Sequence, residues 1–91
     1  DHLAKIRIGQ TVSIEVWNDT RWNHAMHLHG HHFWIQKEDG SFLDGKRDTY
    51  LFQRGEKANL VFVADNPGLW LFHCHMLEHH AAGMGAVIEI S

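Results

Sequence analysis

Alternation of apolar and polar side chains is the feature that most limits what this chain can fold into. Val12, Ile14 and Val16 are separated by polar residues, and a period of two is typical of a strand that buries one face. Other segments that favour strands lie at residues 5–8, 26–36, 49–53, 57–64, 69–75 and 86–90. Turn-forming residues separate these segments at intervals of about 8 to 12 residues. Beyond one helical turn predicted at residues 76–82, no helical period persists, so the sequence predicts an all-β antiparallel sandwich or barrel.

Length and composition limit the class of protein and its partners. The 91 residues are enough for a single domain, residues 1–91, with a core of its own. A net charge of −3 gives no basic surface for nucleic acid, and no apolar run approaches the roughly 18 residues of a membrane span. We therefore expect neither a nucleic-acid nor a membrane partner. Because the chain opens on Asp1 rather than methionine, we also expect a processed or excised segment.

Histidine is the residue type that stands out. Nine of the ten histidines, all but His2, fall in two stretches, residues 24–32 and 73–80. The second stretch contains Cys74, the only cysteine, and is followed by Met84. A thiolate with two imidazoles and a weak axial thioether is the ligand set of a blue-copper electron-transfer site. Histidines clustered this closely therefore predict metal chemistry.

Strand geometry divides these residues between two predicted sites. Neighbouring side chains of a strand point to opposite faces, so Cys74 faces one way while the histidines on either side of it face the other. The aromatic residues that share the Cys74 face make that face the better candidate for the core. The first site lies on that side, and its predicted ligands are His24, Cys74, His79 and Met84. Of these, His24 is expected in a loop before its strand, from which it can turn towards Cys74. The second site uses two outward pairs, which need further ligands to enclose several ions: His27, His29, His73 and His75.

Two long motifs resemble copper-binding motifs of the multicopper oxidases, the family of laccase, ascorbate oxidase and ceruloplasmin, and they occur in the same order as in that family. The segment HAMHLHGH at residues 24–31 resembles their third copper-binding motif, and residues 73–84 resemble the fourth. The segment DNPGLW at residues 65–70 is similar to the lead-in to the fourth motif. The likeness covers nearly the whole chain and implies a C-terminal cupredoxin domain, a cupredoxin-like Greek-key β-sandwich. The late start of the chain leaves open whether the first strand of that fold is missing.

The resemblance also implies roles for individual residues. The type 1 copper ligands of the family correspond to His24, Cys74 and His79, with Met84 as the axial ligand. A type 2 ligand corresponds to His27, and type 3 ligands correspond to His29, His73 and His75. In the family, a small reducing substrate gives an electron to the type 1 copper, and the electron passes through the cysteine and its histidine neighbours to a trinuclear cluster that reduces dioxygen to water. No catalytic residue beyond the metal ligands is predicted. The resemblance favours a periplasmic or secreted location.

The chain departs from the family pattern in two places. Ala25 stands where a proline is usual in the third motif, a change that touches no ligand. The first and second motifs, each an H-x-H pair, are absent, so half of the cluster histidines are missing. We therefore expect the partner to be another cupredoxin domain or further copies of this chain. Oxidase activity is expected only in that assembled form.

Other interpretations stay open from the residues alone. A stand-alone blue-copper electron-transfer protein would use only the first site. A structural zinc site also accepts Cys and His, but it needs neither Met84 nor the outward histidine pairs. Copper storage would call for more exchangeable sulfur ligands than one cysteine and three methionines. Cys74 could also be an inert buried thiol.

The remaining conspicuous residues are expected in supporting roles. Hydrogen bonds to ligands or to the surroundings are expected for His31, His32 and His80. Core or interface packing is expected for the four indoles, Trp17, Trp22, Trp34 and Trp70. Glu78 and Asp48 could help to bind or deprotonate a substrate, but a solvated surface position is the simpler expectation for both.

Overall fold

A computed structural model describes residues 2–76 and 85–91, and these residues form strands and connecting loops with no helix. The strands are, in chain order, β1 (His2–Ile6), β2 (Thr11–Trp17), β3 (His24–Leu28), β4 (Trp34–Gln36), β5 (Thr49–Phe52), β6 (Lys57–Val63), β7 (Gly68–Met76) and β8 (Gly85–Ile90). The predicted helical turn at residues 76–82 lies outside the described residues except for Met76, which ends β7. A membrane-spanning helix is likewise not found in the described part of the chain.

The described residues form two sheets. One has five strands in the order β1-β8-β7-β3-β5, and the other has three in the order β2-β6-β4. Between the described strands, every pairing is antiparallel except that of β1 with β8, which is parallel. The sequence did not predict this parallel pair. The all-β class predicted from the alternation is confirmed. In β2, for example, half-buried and exposed residues alternate along the whole strand.

The single strand predicted at residues 26–36 is wrong. β3 ends at Leu28 in the five-stranded sheet, and β4 begins at Trp34 in the three-stranded sheet. The chain turns at Gly30, whose φ of +78° lies in the left-handed region that favours glycine. Between the two strands His31 and Phe33 are buried, so the crossing segment carries its own inward side chains. Alternation alone does not reveal that the chain changes sheet within an apolar run.

The core lies between the two sheets and decides which face of each strand is inward. Its fully or nearly buried apolar side chains are Leu28, Phe33, Ile35, Phe52, Ala58, Leu60, Phe62, Ala64, Phe72, Ile88 and Ile90. Burial of each large member stabilises the fold by about 1.5 to 3 kcal/mol. Leu28 on β3 pairs with Phe72 on β7, and both are buried. The residues that alternate with this pair therefore lie on the outer face of the five-stranded sheet.

Candidate metal centre

Three histidines meet on the outer face of the five-stranded sheet. Each of His27, His29 and His73 offers one ring nitrogen, and these nitrogens all lie within 4.8 Å of one another. The Nε2 atoms of His29 and His73 are 3.1 Å apart. His29 is exposed, and the other two side chains are half-buried. The structure thus brings together three of the four outward histidines that the sequence assigned to one site.

Backbone pairing places these three side chains. His27 and His73 are direct partners in the antiparallel register of β3 and β7, so their side chains project from the same face. His29 follows the end of β3, where its backbone N–H donates to the Leu71 carbonyl oxygen at 3.0 Å. That bond keeps His29 beside β7 after the regular pairing has ended. The fourth outward position, His75, pairs with Ala25 in the backbone register, and its side chain lies outside the described part of the structure.

A clamp of three residues fixes the loop that carries His29. A Cβ built on Gly30 would lie 2.6 Å from ring atoms of Trp70, a distance that no side chain could occupy without displacing the indole. The Asn66 Nδ2 donates to the Gly30 carbonyl oxygen at 3.1 Å, and the Trp70 Nε1–H donates to the Asn66 carbonyl oxygen at 2.8 Å. Gly30 is therefore required both for its positive φ and for the close approach of the Trp70 ring.

The hydrogen bonds of His27 decide which of its ring nitrogens can bind a metal. His27 Nδ1 lies 2.8 Å from the Asp48 carbonyl oxygen and 2.9 Å from the Thr49 Oγ1. Because a carbonyl oxygen only accepts hydrogen bonds, Nδ1 carries the proton and donates it. The neutral ring therefore keeps its lone pair on Nε2. A ligand histidine that donates its other N–H to a backbone carbonyl is the usual supporting arrangement in metal sites.

The outer-face histidines fit an imidazole-ligated transition metal. Imidazole suits copper, zinc, iron and nickel, and two nitrogens that are each about 2 Å from one ion lie about 3 Å apart. The 3.1 Å separation of the His29 and His73 nitrogens matches that spacing. Among the described residues this is the one group of three or more histidine, cysteine or acidic side chains with ligand atoms so close together.

On the core side of β3, the structure describes part of the first predicted site. Cys74 pairs with Met26, and His24 pairs with Met76, in the backbone register. His24 is the first residue of β3, so the expectation that it precedes the strand in a loop is wrong: its backbone is already held by β5 and β7. Its Nε2 lies 2.9 Å from the Thr20 Oγ1. His79 and Met84, like His80 and Glu78, lie outside the described residues.

The supporting residues take several positions. His31 is buried, with its Nδ1 3.4 Å from the His29 carbonyl oxygen and its Nε2 3.9 Å from an Asp65 carboxylate oxygen. His32 is exposed. Of the four indoles, Trp70 packs against the core, whereas Trp17, Trp22 and Trp34 are exposed. Asp48 has an exposed side chain as expected, but its backbone carbonyl contacts His27, a role that the residue type does not reveal.

Comparison with known proteins assigns the chain to a family. A family model described as multicopper oxidase matches residues 1–91. The chain belongs to the multicopper oxidase family. Multicopper oxidase MmcO of Mycobacterium tuberculosis is 40% identical to the chain over 84 residues. These residues are 92% of the chain and 16% of MmcO. The L-ascorbate oxidase of Cucumis sativus is 39% identical over an alignment of 105 positions that covers 93% of this chain and 18% of that protein.

Solved structures agree with this assignment. Lac15 from a marine microbial metagenome has a TM-score of 0.80 at 40% identity, covering 97% of this chain and 26% of that one. The Blue Copper Oxidase from Nitrosomonas europaea has a TM-score of 0.81 at 30% identity, covering 98% of this chain and 30% of that one. These neighbours confirm the predicted cupredoxin-like sandwich. The family implies copper as the metal, and the chain spans less than a fifth of the two curated relatives that it matches.

Proposed function

We propose that this chain is the part of a multicopper oxidase that holds a type 1 copper and supplies half of the ligands of a type 2/type 3 copper cluster. The observation that carries the proposal is the outward group of His27, His29 and His73, whose ring nitrogens lie within 4.8 Å of one another. Copper, when bound, supplies one-electron redox chemistry, by which electrons from a small reducing substrate reduce dioxygen to water. The proposed type 2/type 3 ligands are His27, His29, His73 and His75.

The proposed type 1 ligands are His24, Cys74, His79 and Met84. Support comes from the backbone register, in which Cys74 is the partner of Met26. Met26 packs against the core and lies two residues after His24, so His24 and Met26 share the inward side of β3. Cys74 is also the direct neighbour of His73 along β7. A ligand of each proposed site is therefore covalently joined to a ligand of the other, which is the shortest connection that electrons could follow.

The outer face also carries support for a partner. Leu69 and Leu71 precede His73 on the same face of β7, and Leu51 lies on that face of β5; their exposed fractions are 67%, 42% and 41%. Apolar side chains beside an incomplete ligand set are typical of an interface rather than of a free surface. We propose that another cupredoxin domain, or a second copy of this chain, covers this face, contributes the missing histidines and excludes water. A periplasmic or secreted location is proposed on the family resemblance.

Two variants of the copper-loaded protein that carries this chain test the proposed function. Cys74→Ser should remove the intense visible absorption and abolish oxygen consumption with a phenolic reductant. His27→Ala should also abolish oxygen consumption but keep the visible absorption, because His27 and His24 lie on opposite faces of β3. His32→Ala, an exposed histidine outside the cluster, is the matched control and should change neither. Oxygen consumption that survives in Cys74→Ser would contradict the proposal, and so would a colourless, zinc-loaded protein.

A further inference from the structure

The turn between β2 and β3 contains a polar network that ends on His24. Its first member, Asn18, is one of the two buried polar residues in the described part of the chain, with 5% of its surface exposed. Its backbone is held on both sides, since its N–H donates to the Glu56 carbonyl oxygen at 2.8 Å and its carbonyl oxygen accepts from the Gly55 N–H at 2.6 Å. Asn18 is therefore a fixed point from which the direction of the network can be worked out.

Two backbone carbonyls determine the orientation of the Asn18 amide. Its Nδ2 donates to the Trp22 carbonyl oxygen at 2.6 Å and to the Phe52 carbonyl oxygen at 3.1 Å. Both of these partners only accept hydrogen bonds, so the atom that faces them must be the amide nitrogen. The Oδ1 atom consequently faces Thr20, where it accepts the backbone N–H at 3.2 Å. An amide flip would break all three of these bonds.

The Asn18 oxygen in turn fixes the proton of the Thr20 hydroxyl. The Thr20 Oγ1 lies 2.6 Å from the Asn18 Oδ1, and two oxygens at that distance need a proton between them. The Asn18 Oδ1 has no proton, so Thr20 donates its own. A second acceptor, the Trp22 carbonyl oxygen, lies 3.2 Å from the hydroxyl and also has no proton to give. Whichever of the two oxygens takes the hydroxyl proton, the Thr20 oxygen offers only lone pairs to the Trp22 N–H at 3.2 Å and to His24.

His24 must therefore supply the proton of the next bond. Its Nε2 lies 2.9 Å from the Thr20 Oγ1, which can now only accept. The neutral imidazole is the Nε2–H tautomer, with its lone pair on Nδ1. On the outer face of the same strand, His27 donates through Nδ1 to the Asp48 carbonyl oxygen and keeps its lone pair on Nε2. The two histidines of β3 are thus held in opposite tautomers.

We propose that Thr20 is a positioning residue for His24: with Asn18 behind it, Thr20 fixes the imidazole as the Nε2–H tautomer and presents Nδ1 to the metal. This inference rests on the proposed function, in which His24 is a type 1 copper ligand. The contribution of Thr20 is to hold the ring orientation and tautomer before copper arrives. Removal of such a supporting partner lowers metal affinity by about 10- to 100-fold.

The tautomer itself can be measured in the unmodified protein without copper. Histidine-selective ¹⁵N labelling of the metal-free protein and two-bond ¹⁵N–¹H correlation spectra distinguish the two neutral tautomers of each ring. His24→Gln identifies the signals of His24. We expect the Nε2–H pattern for His24. An Nδ1–H pattern, or an even mixture of both tautomers, overturns the proposal whatever the variants do.

Substitution of Thr20 tests the consequence for copper. Thr20→Val keeps the shape of the side chain and removes the acceptor, and Thr20→Ser keeps the acceptor. We expect Thr20→Val to show mixed His24 tautomers and to bind Cu(I) at the type 1 site about 10- to 100-fold more weakly in chelator competition. Thr20→Ser should retain the tautomer and nearly all of the affinity. Thr11→Val, at the exposed far end of β2, is the matched control and should resemble the unmodified protein.

The two proposals fail in different ways. If the unmodified protein lacks the type 1 absorption and binds no copper through His24, the proposed function is overturned, even when the Nε2–H tautomer is present. If the unmodified protein binds copper there and Thr20→Val binds it equally well, only the role of Thr20 is overturned. Equal losses of affinity in Thr20→Val and Thr20→Ser, with equal drops in the melting temperature of the metal-free forms, would also overturn it, because the residue would then act on folding alone.

Discussion

The two faces of β3 hold their histidines in different ways. On the inward face, His24 is bound by the side chain of Thr20, which is itself oriented by the buried Asn18. On the outer face, His27 donates to the backbone carbonyl of Asp48. The remaining described histidines of that face, His29 and His73, lie against each other and close to His27. One side of the strand thus relies on side chains of a preceding turn, and the other relies on backbone and on other candidate ligands.

The difference indicates which of the two groups of histidines is oriented by this chain alone. The network around His24 ends in two backbone carbonyls of the same chain, so its orientation needs no partner. Of the outer histidines, one is exposed and two are half-buried, and Leu69 and Leu71 on the same face are exposed. Because exposed apolar side chains gain free energy when they leave water, that face should change most in the proposed assembly. Mutations on the two faces should therefore separate into independent effects.

The largest effect is expected from removal of one outer imidazole. In a Cys74→Ser background, which removes the thiolate of the other site, His73→Ala takes away one of three neighbouring nitrogens. Removal of a ligand should lower metal affinity more than removal of a supporting partner, which costs about 10- to 100-fold. The Cu(II) affinity of the outer face should therefore fall by more than about 100-fold. Isothermal titration calorimetry measures this change. His32→Ala in the same background should leave the affinity unchanged, and an unchanged affinity in His73→Ala would show that these histidines do not act as one site.

The next effect separates backbone strain from contact with Trp70. Gly30 and Gly45 both have positive φ, +78° and +84°, but only at Gly30 would a Cβ meet the Trp70 ring. Gly45→Ala should therefore cost about 1 kcal/mol in the free energy of unfolding. Gly30→Ala should cost about 2 to 4 kcal/mol, because overpacking adds to the strain.

Urea unfolding of the two alanine variants measures this difference. Gly30→Ala should in addition weaken copper binding on the outer face, since the loop that carries His29 must move. Gly45→Ala should not. Equal unfolding free energies for the two variants would mean that the Trp70 ring moves aside without cost and does not clamp the loop.

A smaller effect, on the free energy of unfolding, is expected from Tyr50 on the inward side of the neighbouring strand β5. Burial, followed by the hydrogen bond to Glu56, raises the pKa of Tyr50 to about 12. The unfolded phenol loses its proton near the ordinary pKa of about 10, so between about pH 10 and pH 12 the folded state binds more protons and stability falls as the pH rises. Tyr50→Phe should lower stability by about 1 kcal/mol at neutral pH and reduce this decline.

Unfolding free energies at several alkaline pH values check the prediction for Tyr50. Tyr50 is the only tyrosine of the chain, so the decline that disappears in Tyr50→Phe can be assigned to it. The phenolate absorbance of the folded chain should likewise appear only near pH 12. An identical alkaline decline in both proteins would exclude Tyr50 as its source.

The smallest effect is expected at Thr49, the outer-face counterpart of Thr20. His27 contacts both the Thr49 hydroxyl and the Asp48 carbonyl, and a side-chain substitution cannot remove the carbonyl. Thr49→Val should therefore lower Cu(II) affinity by only about twofold, or about 0.5 kcal/mol. Chelator competition alongside Thr20→Val makes the comparison directly. A loss in Thr49→Val as large as that in Thr20→Val would remove the distinction between the two faces.

Much of the fold and of the candidate site could be predicted because both follow local patterns. Alternation predicted that the aromatic residues on the Cys74 face of β7 point into the core, as the buried Phe72 does, and it placed His27 and His29 on one side. Alternation failed between β3 and β4, where Gly30 turns the chain into the other sheet. It also gave no sign of Asn66 or of the close contact between Gly30 and Trp70, because those contacts join distant segments.

The sequence by itself determined the class of fold, the chemical types of the candidate ligands and their division between two faces, because side-chain direction in a strand depends only on position. Only the tertiary structure decided which nitrogen each histidine of β3 presents. His27 depends on the Asp48 carbonyl, 21 residues away. Thr20 lies only four residues before His24, yet the direction of their bond depends on the amide of Asn18, which the Phe52 carbonyl holds from 34 residues away. Hydrogen-bond direction is a property of neighbours in space, and no local pattern contains it.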